Sequence, residues 1–288
     1  MMPATDRRGD GGGERYFADA QGTLHGRAAV DARIACLVPS ITELVCALGL
    51  TAQLVARTGF CIHPRAALES VPKVGGTKDV NLERLRELRP THVIVNIDEN
   101  EKDSARRIAE FAPHLIVTHP RGPQDNLDLY RLIGGIFGQT AAAEALCERL
   151  TAALGGAAQD CAHLPRERVL YLIWKDPWMS ISRDTYIART LAVVGWDSVP
   201  EAADARYPVI DIDAAAASAD RVLLSTEPYR FGATHAAELA AHLQGKPVTL
   251  IDGEMTSWYG PRAIPGFAYL AQLRRQTALQ PALKVHGS

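Results

Sequence analysis

Apolar residues along the chain form short continuous runs, and each run is followed by a stretch with helical spacing. Arg33–Val38 is such a run, and the segment after it predicts a helix that ends at Gly49. The second half repeats this order, with an apolar run at Arg168–Ile173 and a helical pattern over Thr185–Val194. A short apolar run bounded by turn residues is typical of a buried strand. Each half is therefore predicted to open with a strand, a loop and a helix.

Helix and strand patterns continue to alternate along the rest of both halves. Ser40-Ile-Thr-Glu43 has the spacing of a capping box and predicts where the first helix begins. Alternating strands and helices form mostly parallel sheets whose two faces are covered. The remaining strands are predicted at Leu54–Ala56, His92–Ile97, Leu115–Val117, Arg221–Leu224 and Val248–Ile251.

One segment occurs twice. Val80–Asn96 (VNLERLRELRPTHVIVN) and Ile210–Thr226 (IDIDAAAASADRVLLST) align without a gap, and Glu83 then falls opposite Asp213. Both copies predict a short helix followed by a buried strand. Because the copies lie far apart in the chain, they indicate two similar lobes instead of a solenoid, whose repeats are contiguous. Two facing lobes are a common way to form a cleft for a ligand.

Between the two copies the pattern becomes purely helical. Pro123–Phe137 and Thr140–Ala158 have helical periodicity with no strand between them, and the second is rich in alanine. We interpret it as a rigid connector; two surface helices of one lobe are the alternative. The predicted fold class is α/β, with two Rossmann-like lobes, mostly parallel sheets and a single long connecting helix. The predicted regions are an N-terminal tail and leading segment (1–30), two lobes (31–122 and 161–288) and a connector (123–160).

Composition is that of an ordinary globular protein and excludes several classes of partner. Hydrophobic residues make up 47% of the 288 residues and charged residues 22%, with a net charge of -2. No basic stripe favours nucleic acid, and no apolar run is long enough to span a membrane. The polar, glycine-rich start predicts a disordered tail over residues 1–14. No apolar stretch follows Arg7–Arg8, so no export signal is predicted.

The cysteines and the motif search argue against metal-site and enzyme signatures. The five cysteines are odd in number and include no CxxC pair, which argues against a disulfide framework or a structural zinc site. They are predicted to be small core residues in a reducing compartment. No GxSxG, HExxH, Walker loop or GxGxxG is present, so the sequence offers no support for catalysis.

In open α/β sheets, ligands bind beyond the carboxyl ends of the strands, so the loops there supply the candidate ligand-binding residues. In the first half these are Phe60, His63, Thr77, Lys78 and Asn96. In the second half they are Trp174, Lys175, Trp178, Tyr207, Tyr229, Trp258 and Arg262. Aromatic side chains clustered in loops suit a large, flat, partly apolar ligand; the alternative is that they cover the core of the lobe.

Two of these residues have more than one interpretation. His63 lies near Cys61 in GFCIHP and is a candidate metal ligand. A metal site normally needs three or four ligands, so a loop or pocket histidine is the alternative. Arg262, in SWYGPR, is suited to a bidentate bond with a carboxylate or phosphate of a ligand, or to stacking on Tyr259.

The stretch RIACLVPSITELVCALGL resembles the opening strand and helix of the periplasmic cobalamin- and iron-siderophore-binding proteins of ABC importers. The resemblance continues through VPKVGGTKDVNLERLRELRPTHVIVN, DPWMSISRDTYIARTLAVVGWDSVPEA and SWYGPR, and together these cover most of residues 31–275. The cobalamin-binding branch is the most similar. The resemblance implies a two-lobe fold with one long connecting helix that limits hinge motion, and a ligand cleft between the lobes.

The resemblance also implies roles for individual residues. In the family, one surface acid on each lobe meets arginines of the membrane partner. Glu83 matches the first of these positions, and Asp213 matches the second, where the cobalamin-binding branch has glutamate. The alternative is two exposed carboxylates near helix N-termini. Aromatic residues wall the cleft in that branch; Phe60 and Tyr207 match such positions, and Thr77 stands where the branch has tryptophan.

The predicted function is reversible capture of a large metal-containing cofactor, without bond breaking. A corrinoid such as cobalamin is the first candidate ligand, and a ferric siderophore or haem is the next. No cofactor of its own is required, the expected partner is an importer permease, and a monomer is expected. A cytoplasmic enzyme or metallocofactor-handling factor with the same fold is the alternative, and a protein-interaction module is a third. Without an export signal the expected location is cytoplasmic, or periplasmic if the true start differs.

Overall fold

The computed structural model describes residues 7–8, 15–201 and 204–279, and their backbone divides into two compact units. Unit 1 contains the described residues up to Pro120, with Gln124–Arg149 and Tyr259–Pro261. Unit 2 contains Arg121–Pro123, Leu150–Trp258 and the described residues from Arg262 onward. No helix in the described ranges is both long enough and apolar enough to cross a bilayer.

The chain begins with a small antiparallel sheet that the hydrophobic pattern does not predict. Its strands, in spatial order, are β1 (Arg7–Arg8), β2 (Arg15–Ala18) and β3 (Leu24–His25). Strands of two to four residues are too short to show the alternation that identifies a strand in a sequence. The disordered tail predicted over residues 1–14 otherwise lies outside the described residues.

Four parallel strands form the central sheet of unit 1: β4 (Ile34–Cys36), β5 (Leu54–Arg57), β6 (His92–Asn96) and β7 (His114–Thr118). Their spatial order is β5-β4-β6-β7, and each lies within two residues of its predicted position. The helices are α1 (Pro39–Ala47), α2 (Arg65–Leu68), α3 (Leu82–Glu87), α4 (Lys102–Ala109) and α5 (Asp125–Ile136). Aliphatic side chains of the sheet, α3 and α4 form a buried core that includes Val93, Leu85 and Ile108.

The long helix predicted in the middle of the chain is present. α6 (Thr140–Cys161) begins in unit 1 and ends in unit 2, without a break. A break separates α6 from α5. Gly138 has a φ of 71°, a left-handed conformation that ends the preceding helix. The prediction of two consecutive helices with no strand between them is therefore confirmed.

Unit 2 has a second parallel sheet, formed by β8 (Glu167–Trp174), β10 (Trp196–Val199), β11 (Arg221–Ser225) and β12 (Val248–Ile251) in the order β10-β8-β11-β12. The sequence did not predict β10 or the short strand β9 (Met179–Ser180), which pairs antiparallel with the end of β8. The helices are α7 (Tyr186–Val193), α8 (Ile212–Ala217), α9 (Ala233–His242), α10 (Gly253–Ser257) and α11 (Ala263–Ala278), and 3-10 turns lie at Thr51–Gln53 and Gly260–Arg262. The predicted α/β class with mostly parallel sheets is confirmed.

The two copies of the sequence repeat form matching elements. α3 and α8 each have six residues, and each is followed by a buried strand. Asn81 caps α3 by accepting a hydrogen bond from the backbone N–H of Arg84, and Asp211 caps α8 in the same way from Ala214. A side-chain oxygen at this position satisfies a backbone donor that the helix leaves unpaired. The repeat thus preserves a cap, a short helix and a strand.

The capping box predicted for α1 is wrong. The helix begins at Pro39, two residues earlier than the box requires, so Ser40 lies inside the helix. Val38 occupies the cap position and makes no side-chain capping bond. Proline suits the first position of a helix because its φ is already helical and its missing N–H would be unpaired there.

The amino end of the unit 2 sheet contains a buried ion network. The carboxylate of Glu167 accepts a hydrogen bond from Arg221 Nε at 2.9 Å and lies 3.3 Å from Arg274 Nη1. The indole N–H of Trp196 donates to the same carboxylate at 2.9 Å. Arg221 and Arg274 are only 5% and 2% exposed, so both guanidinium groups depend on this acid for compensation.

The corresponding end of the unit 1 sheet contains histidines instead of an ion network. His92, at the start of β6, is buried and stacks on His114, with ring centroids 4.5 Å apart. The hydroxyl of Thr91 lies 2.9 Å from His92 Nδ1. Burial, with smaller contributions from His114 and His25, lowers the pKa of His92 to about 4. His92 is therefore neutral at physiological pH.

Candidate functional site

Three large apolar side chains of unit 1 are exposed in the segments that follow its strands. Phe60 is 63% exposed and Ile62 48%, both in the loop after β5, and Ile97 is 46% exposed directly after β6. The Phe60 ring lies against Gly76, where an added Cβ would come within 3.2 Å of it. We call Phe60, Ile62 and Ile97 the unit 1 apolar set.

Arg57 fixes the loop that carries Phe60 and Ile62. This residue is buried, and its guanidinium donates to the backbone carbonyls of Thr58, Cys61 and Leu68 at 3.0–3.2 Å. A guanidinium can donate five hydrogen bonds in fixed directions, so a single side chain can hold several carbonyls in place. The exposed side chains are therefore presented by a defined backbone.

Asn96 and Asn100 join the neighbouring loops of unit 1. Asn100 donates to the carbonyls of Leu37 and Thr77 and accepts from the backbone N–H of Asn96. Asn96 is 1% exposed, and its amide donates to Thr118 Oγ1 and accepts from the N–H that follows two residues on. The Asn96 amide thus shapes this loop and offers almost no surface to a ligand. Thr77, in contrast, is partly exposed.

Lys78 and His63 remain at the surface of the same loops. Lys78 Nζ donates to the backbone carbonyl of Asp98 at 3.0 Å and lies 3.7 Å from Glu101, with half of its side chain exposed. His63 is partly buried. Among the described residues, no three His, Cys, Asp or Glu side chains are grouped so that they could hold a metal ion. A metal that His63 contacts would thus need its other ligands from a bound molecule.

Cys61, the other half of the candidate metal pair, is a buried thiol. Its sulfur lies 3.1 Å from the hydroxyls of both Thr42 and Thr58. Burial raises its pKa, although the two hydroxyls act in the opposite direction. A thiol that stays protonated is a poor metal ligand. All five cysteines are free thiols and four of them are buried, in agreement with their predicted place in the core.

Aromatic rings gather around the carboxyl end of β8 in unit 2. Trp174, the last residue of β8, is 40% exposed and meets Tyr229 edge to face at 5.5 Å. Tyr229 contacts Phe231 at 4.6 Å, and Phe231 stacks on Trp178 at 6.0 Å. Trp178 and Tyr229 also pack on the buried core of the unit. The cluster therefore covers the core of the unit and keeps Trp174 at the surface, while contact with a flat ligand stays a prediction.

Lys175 belongs to the same cluster. Its ammonium lies 5.9 Å from the centre of the Trp178 ring and 3.8 Å from a carboxylate oxygen of Glu238. The cation is thus held by an aromatic face on one side and by an acid on the other. A ligand that recruits Lys175 has to compete with Glu238.

Tyr207 lies in the segment after β10. Part of this segment pairs with β9 without forming a regular strand. The backbone N–H of Ser180 donates to the carbonyl of Pro208, and Val209 forms a bridge with Met179. Tyr207 is 37% exposed and Val209 62%. With Trp174 they form the unit 2 apolar set: Trp174, Tyr207 and Val209.

Trp258 and Arg262 form a polar aromatic group with two acids. The indole N–H of Trp258 donates to Glu227 at 3.1 Å, and Arg262 pairs with Glu254 at 2.9 Å. The Arg262 guanidinium lies 4.9 Å from the centre of the Trp258 ring. The stacking partner is thus Trp258, whereas the alternative from the sequence was Tyr259. A ligand carboxylate that reaches Arg262 has to compete with Glu254.

Comparison with known proteins identifies the family. The family model described as "Periplasmic binding protein" matches residues 34–248, well over half of the chain. The chain belongs to this family. The resemblance inferred from the sequence motifs is confirmed, and so is its implication that the chain is a non-catalytic binding protein.

Individual relatives of this periplasmic binding protein are distant in sequence and similar in fold. "Vitamin B12-binding protein" of Vibrio vulnificus (strain CMCP6) is 22% identical over 212 residues, which cover 74% of this chain and 75% of the relative. The crystal structure of periplasmic vitamin B12-binding protein BtuF of Vibrio cholerae matches with a TM-score of 0.75 at 17% identity, over 86% of this chain and 98% of that one. Periplasmic heme-binding protein RhuT of Roseiflexus sp. RS-1, in its apo form, matches with a TM-score of 0.75 at 20% identity, over 86% and 99%.

Glu83 and Asp213, the candidate docking acids, lie in the first turns of α3 and α8 and are both exposed. Their surroundings differ. Asp213 accepts a hydrogen bond from His242 Nε2 at 2.8 Å, with both side chains more than half exposed. Glu83 makes no ion pair with any described residue. The two positions match in the backbone and differ in how much of the carboxylate is available.

Sequence reasoning missed three members of the apolar sets: Ile62, Ile97 and Val209. Each is an aliphatic residue in a segment that contains no regular element, where an apolar residue does not reveal whether it is buried. For Ile62 and Ile97 a usable signal was their position at or after the end of a predicted strand, the signal that selected Phe60 and Trp174. No strand was predicted before Val209, because β10 is not a continuous apolar run.

Proposed function

We propose that this protein is the ligand-binding component of an ABC importer and that its ligand is a large, flat, metal-containing cofactor. A corrinoid is the first candidate, and haem or a ferric siderophore is the next. Support comes from the family, from the vitamin B12-binding and heme-binding proteins that share the fold, and from the exposed side chains of each unit. The family is periplasmic, which favours the periplasmic one of the two locations considered.

The distribution of exposed apolar side chains carries the proposal. Nine large apolar side chains are exposed among the described residues, and six of them belong to the unit 1 and unit 2 apolar sets. Exposed apolar groups that concentrate beyond strand carboxyl ends mark a surface for an apolar ligand face. A macrocyclic ring has a large face of this kind.

The ligand would be held without any bond being made or broken. In unit 1 the apolar set would pack on its ring and Lys78 would meet its carboxylate, amide or phosphate groups. In unit 2 the candidates for the same contacts are the unit 2 apolar set, Lys175 and Arg262. Lys78 is the most exposed of these three cations, and each of them first has to leave an acid: Glu101, Glu238 and Glu254, respectively. A chelated metal brings most of its own ligands, so His63 would supply at most one more.

The test is a spectroscopic titration of the purified protein with cyanocobalamin and, separately, with haemin. We expect a saturable change in the visible spectrum at one ligand per chain for one of them. Replacing Trp174 or Tyr207 by alanine should weaken that binding by about 1–3 kcal/mol, roughly 5- to 150-fold. Ile62→Ala should weaken it less, because a smaller apolar area is lost.

Val30→Ala is the matched control, since Val30 is an exposed aliphatic residue of unit 1 outside the apolar sets. It should leave affinity unchanged. Binding of haemin alone would replace the corrinoid by haem as the ligand. If neither binds, ferric siderophores are titrated next, and a failure of all three contradicts the proposed ligand class. Equal losses in Val30→Ala and Trp174→Ala would contradict the placement of the surface.

We also propose that Glu83 and Asp213 contact the importer. A membrane partner that presents arginines would pair with both carboxylates, and Asp213 would exchange His242 for an arginine. Co-sedimentation of the protein with the cognate importer in lipid nanodiscs tests this. Glu83→Ala and Asp213→Ala should each reduce binding at low salt, whereas Glu87→Ala, an exposed acid at the other end of α3, should not. Equal effects of all three variants would indicate a general charge effect and contradict specific docking.

A further inference from the structure

A pocket of about 520 Å³ lies in unit 1 where the N-terminal sheet packs against the corner between α5 and α6. Its lining comes from β2, the segment after β3 and that corner: Arg15, Phe17, Gly26, Arg27, Gly135, Gly138 and Thr140. None of these residues belongs to the apolar sets. Residues 15–27 also precede the part of the chain that matches the family, which begins at residue 34. The pocket is therefore a separate feature of this chain.

Two glycines of the α5–α6 corner allow the N-terminal sheet to form this pocket. An added Cβ at Gly135 would come within 2.1 Å of the Phe17 ring. An added Cβ at Gly138 would come within 2.8 Å of Arg27 Nη2. The Phe17 ring cannot be accommodated by a small adjustment, whereas the end of the flexible Arg27 side chain can move. At Gly138 it is the left-handed φ of 71° that requires glycine. Phe17 and Arg27 therefore lie directly against the backbone of Gly135 and Gly138, and these glycines form one wall of the pocket.

Two arginines face each other across the hairpin at the mouth of the pocket. Phe17 pairs with His25 in the antiparallel register of β2 and β3. Continuing that register outward by two residues places Arg15 opposite Arg27. Like charges in directly opposite positions destabilise an antiparallel pair. The acid of the adjoining pocket that Arg15 also lines, Glu144, forms its ion pair with Arg131.

Another positive feature points to the same place. Thr140, also in the lining, is the first residue of the 22-residue helix α6. The first turn of a long helix presents unpaired N–H groups and a partial positive charge. An anion in the pocket would meet two guanidiniums and these N–H groups.

We propose that this pocket binds a small phosphate-bearing molecule. Guanidinium forks match phosphate oxygens, and a doubly charged phosphate compensates both arginines, whereas one carboxylate does not. The pocket volume lies within the range of small-molecule sites, so there is room for an organic group beside Phe17. The phosphate belongs either to a free metabolite or to a lipid headgroup, and these two sources are separated by the experiment.

The experiment is isothermal titration calorimetry of the full chain with inorganic pyrophosphate, inorganic phosphate and phenyl phosphate at constant ionic strength. We expect one site, with phenyl phosphate bound more tightly than inorganic phosphate because its ring packs on Phe17. Arg15→Gln and Arg27→Gln should each weaken pyrophosphate binding at least tenfold, and the double variant should abolish it. Arg106→Gln, which removes an exposed arginine of α4 in the same unit, should leave it unchanged.

Two further measurements test whether the loss of binding comes only from a damaged structure, and they identify the source of the phosphate. Arg27→Lys should retain more of the binding than Arg27→Gln at the same melting temperature. Phosphatidylcholine vesicles with and without phosphatidic acid test the lipid source by sedimentation. Arginine-dependent binding to the phosphatidic acid vesicles alone assigns a lipid headgroup. Absence of saturable binding to every probe, or binding unaffected by the double variant, would overturn the proposal.

Discussion

The central strands β6 and β11 occupy equivalent places in the two copies of the repeat, yet their amino ends are stabilised differently. β6 begins with His92, a buried imidazole kept neutral and stacked on a second ring. β11 begins with Arg221, a buried cation whose charge is compensated by Glu167. The repeat preserves what the backbone requires, a cap and a strand. It does not specify how a polar residue at the strand start is accommodated.

The two arrangements fail under different conditions. A buried ion network is sensitive to loss of one partner, because the remaining charge stays desolvated and uncompensated. A buried neutral histidine is sensitive to acid, because only the unfolded chain takes up a proton readily. Unit 2 should thus be the more vulnerable to substitution and unit 1 the more vulnerable to low pH.

The largest effect is expected from Glu167→Gln, which leaves Arg221 and Arg274 buried without an acid. The free energy of unfolding of unit 2 should fall by about 3–5 kcal/mol. Urea denaturation followed by tryptophan fluorescence measures this, since Trp196 is buried beside the network. Asp197→Asn removes a surface acid paired with Arg166 and should cost less than about 1 kcal/mol. Equal losses in the two variants would contradict the contrast.

Acid should destabilise unit 1 through His92. The folded pKa of about 4 lies below the ordinary value of 6.5, so the unfolded chain binds the proton first as the pH falls. This contribution to stability is complete above pH 6.5 and declines toward pH 4, by up to about 3 kcal/mol. His92→Asn should flatten the pH dependence of unfolding in this window, whereas His163→Asn, at an exposed site, should not. An unchanged pH dependence of unfolding in His92→Asn would contradict the role of His92.

The helix caps are a feature in which the two copies of the repeat agree. Asn81→Ala and Asp211→Ala each remove one cap bond to a backbone N–H, at 2.9 and 2.8 Å. Each should cost about 1 kcal/mol of unfolding free energy in chemical denaturation. Serine at either position should restore most of it. A loss in only one unit would show that the copies differ at the cap as well.

The smallest effect is expected from the hydrogen bond between Asp213 and His242, which has no counterpart at Glu83. Both side chains are more than half exposed, so His242→Ala should change the unfolding free energy by less than about 1 kcal/mol. A thermal melt at neutral pH checks this. A larger loss would mean that Asp213 has a structural role, which would weaken its assignment as a docking acid.

The sequence predicted the sheets well, because each central strand is a continuous apolar run with a turn on either side. It also predicted the repeat, since its helix and strand depend on local patterns. The N-terminal sheet could not be predicted, because its strands are too short to show a pattern. The ion pairs of Arg262 with Glu254 and of Lys175 with Glu238 could not be predicted either. These pairs depend on the fold that brings distant loop residues together.

The way Arg57 holds the loop after β5 has a consequence for how easily ligand preference can change. Its guanidinium binds only backbone carbonyls, which every amino acid provides. The side chains at Phe60 and Ile62 can therefore be exchanged without removing any of the hydrogen bonds that fix the loop. Natural variation or a randomised library at these two positions can change the ligand-contacting surface while the loop backbone stays the same. This loop is therefore a good starting point for redesign.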